Sequence, residues 1–180
     1  MKLWIDTGRA SRAQALFGVD PVERLRRSVG RLDDVTVVLS GPVSGGERWP
    51  GAQLDPSAKA LGVRLRAALV DAPGGLVAID GANAVDPRLI RFLSGVASPC
   101  VAARGEGADR AVVMRLDASL ADAIPPQAET LCDVADALRA QGRIAPLDQA
   151  SFPAYVDKLR RSLPYWIYAV NDVATRRRLE

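Results

Sequence analysis

The residues best equipped for chemistry stand at two glycine-marked turns. The first is Asp6-Thr7-Gly8-Arg9-Ala10-Ser11-Arg12, at the end of the apolar stretch Lys2-Leu3-Trp4-Ile5. A glycine after a strand lets backbone N–H groups approach an anion because no Cβ blocks the way, and flanking arginines match phosphate oxygens. The second is Asp80-Gly81-Ala82-Asn83, after Leu76-Val77-Ala78-Ile79. An aspartate in that place either holds a metal ion or accepts the backbone N–H groups of its own turn, and both readings stand for Asp80. For Gly8 the alternative is a plain strand-to-loop turn with surface arginines, since one glycine is a weak signal.

Composition removes several other chemistries. The chain has 180 residues and no histidine, and its two cysteines, Cys100 and Cys132, form no CxxC pair. A zinc centre, a Cys–His nucleophile and a Ser-His-Asp triad are thereby excluded, and both cysteines read as small buried apolar residues. Asp20, Asp55 and Asp86 each precede a proline. That is the pattern of an N-cap followed by proline at the first helical position, so capping rather than catalysis accounts for them. A net charge of +3, from 24 basic and 21 acidic residues, leaves no footprint for a nucleic-acid partner. Asp6 and the arginines from Arg9 onward break any secretory signal. No apolar run approaches the roughly 18 residues that span a bilayer, so a cytoplasmic protein is expected.

Hydrophobic patterning supplies the frame for these turns. Residues 2–6, 35–39, 76–80, 100–103 and 111–116 are short apolar runs that read as strands, the run over 35–39 being continuous enough for cover on both faces. Helical patterns lie between them, over 20–29, from Asp55 to about Val70 and from Asp86 to Leu93, with Val22, Leu25, Val29 and Leu32 on one face of the first. Residues 43–54 are rich in glycine and proline and read as loop. Helices are expected around 118–123 and 129–141, a strand-like piece at 144–146 and a last helix from about Ser151. This alternation predicts a three-layer, Rossmann-like α/β domain with a mostly parallel sheet. Ligands of such sheets bind at the carboxyl ends of the strands, where both turns fall.

Gly8 and Arg12, followed by the helix Pro21-Val22-Glu23-Arg24-Leu25, resemble the glycine loop of sugar-phosphate and alcohol-phosphate nucleotidyltransferases, LAAGxGxRL followed by PKxL. The stretches LVAIDGANAVDPRLIRFL and AYVDKLRRSLPYWIYAVNDVATRRRLE extend the likeness. They resemble the GT-A-like cytidylyltransferase domain, of the inositol-1-phosphate type, that precedes a membrane-embedded CDP-alcohol phosphatidyltransferase in bifunctional proteins. The resemblance implies CTP and Mg2+ as cofactors, Arg12 as the catalytic charge on the phosphates, Gly8, Arg9 and Ser11 in contact with the nucleotide, and Asp80 on the metal.

Asp6, Ala10 and Gln14 stand where that family has alanine, glycine and lysine, and Ala82 stands where it has the metal aspartate. These replacements lead to the expectation of a catalytically degenerate domain of phospholipid biosynthesis, a pseudoenzyme with a structural or regulatory role. An active CTP-dependent cytidylyltransferase acting on an alcohol phosphate is the second reading, and a soluble interaction domain without a nucleotide site is the third. Residues 1–150 are read as the nucleotidyltransferase-like domain, and 151–180 as a helical connector toward a membrane transferase domain in cis. Tyr165, Trp166 and Tyr168, with Arg176, Arg177 and Arg178, suit either an amphipathic helix folded back on the domain or a juxtamembrane segment on the cytosolic face. A nucleotide and a second copy of the chain complete the expected partners.

Overall fold

The computed structural model describes residues 2–9, 19, 21–29, 35–42, 51–156 and 159–170. In chain order its elements are β1 (Lys2–Asp6), α1 (Pro21–Val29), β2 (Thr36–Ser40), β3 (Gln53–Asp55), α2 (Leu61–Val70), β4 (Leu76–Asp80), β5 (Asn83–Val85) and α3 (Pro87–Gly95). There follow β6 (Cys100–Arg104), β7 (Ala111–Leu116), a 3-10 segment at Ala118–Ala123, α4 (Leu131–Ala140), β8 (Ala145–Pro146), β9 (Tyr155–Val156), β10 (Arg161–Ser162) and β11 (Ile167–Ala169). Seven strands form the central sheet in the order β3-β2-β1-β4-β7-β6-β8. Only β7 runs against the rest, antiparallel to both β4 and β6. The sheet is therefore the mostly parallel one that the alternating pattern predicts.

Helices cover both faces, which is why the strands read as continuous apolar runs. Leu3, Ile5, Val37, Leu39, Val77 and Ile79 pack on one side with Leu25 and Val29 of α1 and Leu89, Ile90 and Leu93 of α3. Trp4, Val38, Leu76, Ala78, Val112 and Met114 pack on the other with Leu65 and Leu69 of α2 and Val134 and Leu138 of α4. Full burial of each such leucine, isoleucine or valine contributes about 1.5–3 kcal/mol. Every residue of β4 is buried. The caps follow chemistry: Asp86 accepts the Arg88 N–H at the start of α3, and Thr130 and Asp133 form a capping box at the start of α4.

Three expectations need correction. Helix α2 begins at Leu61 after Ala60, which gives no side-chain cap. Asp55 instead ends β3, where its Oδ2 accepts the Ser40 hydroxyl at 2.7 Å. For the same reason part of the expected loop over 43–54 is the edge strand β3, paired in parallel with β2; residues 43–50 lie outside the described residues. The helix expected from Ser151 is replaced, through residue 170, by a 3-10 turn and short strands. Pro153 and Pro164 interrupt any helix there, and β11 satisfies the open edge of β5 in an antiparallel pair. Tyr165, Ile167 and Ala169 join the core beneath it. Asp20 and Leu32 lie outside the described residues. No helix among the described residues is long and apolar enough to cross a membrane.

Candidate functional site

Strand register brings the polar strand ends to one level. Asp6 pairs with Ser40 on one side and Asp80 on the other, and Ser40 pairs with Asp55. The carboxyl edge thus carries a row of Asp55, Ser40, Asp6 and Asp80 across four adjacent strands. Two glycines let the turns close over it. The Gly81 N–H donates to the Asp6 carbonyl at 2.8 Å, and a Cβ on Gly81 would stand 2.8 Å from that oxygen. Gly41, at φ +112°, lies so close to Gly8 that a Cβ would come within 3.1 Å of its nitrogen.

A lone buried carboxylate costs several kcal/mol, and Asp6 is buried at 1% exposure. Arg64 of α2 answers it. Its Nη2 donates to Asp6 Oδ1 at 2.7 Å, its Nη1 to the Ser40 hydroxyl at 2.8 Å and its Nε to the Lys59 carbonyl at 3.0 Å, while the guanidinium lies over the Trp4 ring. Asp6 is therefore a structural charge matched inside the fold. The Gly8 N–H also donates to Asp6 Oδ1, at 3.2 Å. The backbone donor that a glycine turn offers to a phosphate is here turned inward.

Gly8, Arg9 and Asp80, singled out by sequence, do come together at this edge, whereas Ser11 and Arg12 lie outside the described residues. Asp80 fulfils its turn role through Oδ1, which accepts the Ala82 N–H at 2.8 Å. Its Oδ2 faces Arg9 Nη1 at 3.6 Å. Burial raises the Asp80 pKa above the usual carboxylate range and the nearby Asp6 adds to the rise, against the Ala82 N–H and Arg9. Burial pushes up the Cys132 thiol in the first turn of α4, whose Sγ lies 3.6 Å from the Arg110 carbonyl.

Mg2+ is commonly held by one or two carboxylates and completed by substrate phosphates and water. Asp80 Oδ2, which takes no backbone N–H from among the described residues, fits that demand for an ion shared with a triphosphate. Among the described residues no group of three His, Cys, Asp or Glu side chains gathers to hold an ion unaided. Sequence reasoning did not reach Arg64 or Ser40 and read Asp55 as a helix cap; the roles of all three appear only when register and α2 bring them together.

No family model matches the chain, and no curated protein sequence does. Solved structures do resemble it. One described as a glucose-1-phosphate thymidylyltransferase from Bacillus anthracis, in complex with a sucrose, superposes at a TM-score of 0.60 with 10% identity, covering 99% of this chain and 94% of that one. A 4-diphosphocytidyl-2C-methyl-D-erythritol synthase superposes at 0.52 with 15% identity, over 90% of this chain and 91% of its own. At these identities the likeness is one of fold, and over nearly its whole length the chain has a fold similar to that of the nucleotidyltransferases.

Proposed function

We propose that the chain is the nucleotidyltransferase-like domain of a CDP-alcohol phosphatidyltransferase, at the cytosolic face of the membrane, and that its carboxyl edge binds CTP with Mg2+ without turning it over. The observation that carries this reading is the inward hydrogen bond from the Gly8 N–H to Asp6 Oδ1. It removes a donor from the place where charge develops during transfer, and preorganised donors there are what accelerate such reactions. Arg9 is a cation at the edge, able to exchange Asp80 for phosphate oxygens and so leave Asp80 Oδ2 to a metal ion. Bound there, Mg2+ supplies neutralisation of the triphosphate charge. The role that follows is regulatory or structural.

A second reading, an active cytidylyltransferase acting on an alcohol phosphate, draws on one observation: Arg64 matches the charge of Asp6, so that replacement places no net negative charge beside the phosphates. Pyrophosphate release separates the two. Incubation with CTP, Mg2+ and a panel of alcohol phosphates is expected to yield none although CTP binds. Release would establish the second reading, and absence of CTP binding would leave an interaction domain.

A further inference from the structure

The segment after Ser151 holds a finger that the core does not use. Among the described residues β9 and β10 pair with each other alone, in a two-stranded sheet apart from the central one. Their base is anchored. Phe152 is buried and packs edge-on against Phe92 and Tyr165, with ring centroids 5.6 and 5.3 Å away, and the Leu163 N–H donates to the Ala154 carbonyl at 2.7 Å. Beyond that base Tyr155, Leu159, Arg160, Arg161 and Ser162 are all exposed, and Val156 is half-buried.

What the finger exposes is both apolar and cationic. Two of the five large hydrophobic side chains exposed among the described residues lie in it, Tyr155 at 59% and Leu159 at 52%. Single exposed apolar residues are ordinary, but here two are joined by two arginines on one short hairpin. Arg160 turns the chain at φ +48°, and no ion pair among the described residues involves Arg160 or Arg161. Asp157 and Lys158 lie outside the described residues and cancel in formal charge, so the two arginines set the sign of the finger. The register places Tyr155 opposite Ser162 and Val156 opposite Arg161, which puts Tyr155 and Arg161 on opposite faces.

That distribution selects a partner. A protein seated on one face would leave the exposed side chain of the other without a role. A second copy would set the same patch against itself and oppose like charges, and an arginine on an outer strand discourages edge pairing. A lipid headgroup layer surrounds an inserted finger on both faces. Tyrosine suits the boundary between headgroups and hydrocarbon, leucine suits the apolar side of it, and guanidinium forks match lipid phosphates. An anionic leaflet supplies the complementary charge.

We infer that the β9–β10 hairpin docks on an anionic lipid surface, with Tyr155 and Leu159 entering the interface and Arg160 and Arg161 on lipid phosphates. The inference deepens the proposed function by naming the surface that meets the membrane, and it rests on that reading only for the membrane beside the chain. A tether to a membrane domain raises the effective concentration of lipid, so modest affinity in the finger suffices.

The test is cosedimentation of the full chain, without nucleotide or metal, with vesicles of phosphatidylserine and phosphatidylcholine in equal parts and with vesicles of phosphatidylcholine alone. Binding is expected to the mixed vesicles, stronger than to the neutral ones and weakening as salt rises. The double variant Arg160→Gln with Arg161→Gln is expected to weaken it roughly 25-fold, at roughly fivefold per charge. Leu159→Ser is expected to weaken it roughly tenfold, with circular dichroism confirming that both variants fold. In Leu159→Trp the added indole is expected to be quenched by brominated lipid beyond the wild-type signal. Absence of binding to the mixed vesicles, equal binding to both kinds, unchanged affinity in either weakened variant, or an unquenched indole overturns the assignment. Titration with CTP and Mg2+ in the absence of lipid separates the two claims. Vesicle binding without CTP binding keeps the finger and removes the nucleotide reading, and the reverse result does the opposite.

Discussion

Replacing Arg64 by methionine tests whether the carboxyl edge is built as described. The methionine keeps contact with Trp4 while removing every donor that Arg64 directs at Asp6, Ser40 and Lys59. Both partners of the ion pair are nearly sealed, with side-chain exposures of 6% and 2% at a separation of 2.7 Å. Breaking a buried pair by removing one partner costs about 3–5 kcal/mol, because the surviving charge is left without compensation. With a urea m-value of about 2 kcal/mol/M, a cost of about 4 kcal/mol lowers the unfolding midpoint by about 2 M. Asp6→Asn should be costly for the same reason. The double variant Asp6→Asn with Arg64→Met should fall short of the summed single costs by more than about 1 kcal/mol, since contacting partners couple. Urea unfolding followed by circular dichroism reads all four proteins. A midpoint for Arg64→Met within about 0.5 M of wild type, or additive single costs, would refute the reasoning.

Other outcomes follow from neighbouring groups. Gly81→Ala pushes a Cβ against the Asp6 carbonyl, at 2.8 Å, and against Val22 Cγ2, at 3.1 Å; it should destabilise by about 1–3 kcal/mol, and more than Gly8→Ala, whose nearest neighbour is Asp6 Oδ1 at 3.3 Å. Glu23 is held down to about 2 from 4.5 by hydrogen bonds from Arg26 and Arg27. Its stabilisation is therefore present above about 4.5 and fades as pH falls toward about 2. After solvent screening, Glu23→Gln should cost about 0.5 kcal/mol at neutral pH and almost nothing in strong acid; melts showing a cost independent of pH contradict this. Burial raises the Asp80 pKa, so the folded state disfavours its ionised form and stability falls as pH rises through that raised value. Asp80→Asn should remove this slope and melt no lower than wild type at neutral pH.

The sheet was legible because burial on both faces leaves a signal in the residues themselves. The run Leu76-Val77-Ala78-Ile79 could hardly be anything but a covered strand, and Asp86-Pro87 capped α3 as its chemistry requires. The same Asp-Pro rule misled at Asp55, where pairing with the open edge of β2 outweighed a local helix start. Aromatic richness after Ser151 drew attention from a period-two signal: Ile167 and Ala169 are buried around exposed Tyr168, the alternation of a strand. At the site, Gly8, Arg9 and Asp80 could be found because each adjoins a strand end. Arg64 could not, because it stands 58 positions from Asp6 inside a largely apolar helix, and only the folded register reveals its partner.

The central claim is that Asp80, with Arg9 beside it, makes the end of the central strands a nucleotide site. Titrating wild type and Asp80→Asn with CTP in the presence and absence of Mg2+ addresses it most directly. The account predicts binding to wild type that strengthens with Mg2+, and a variant that folds normally but loses the metal-dependent gain. Binding that is absent from wild type, or that responds to Mg2+ equally in both proteins, would contradict it.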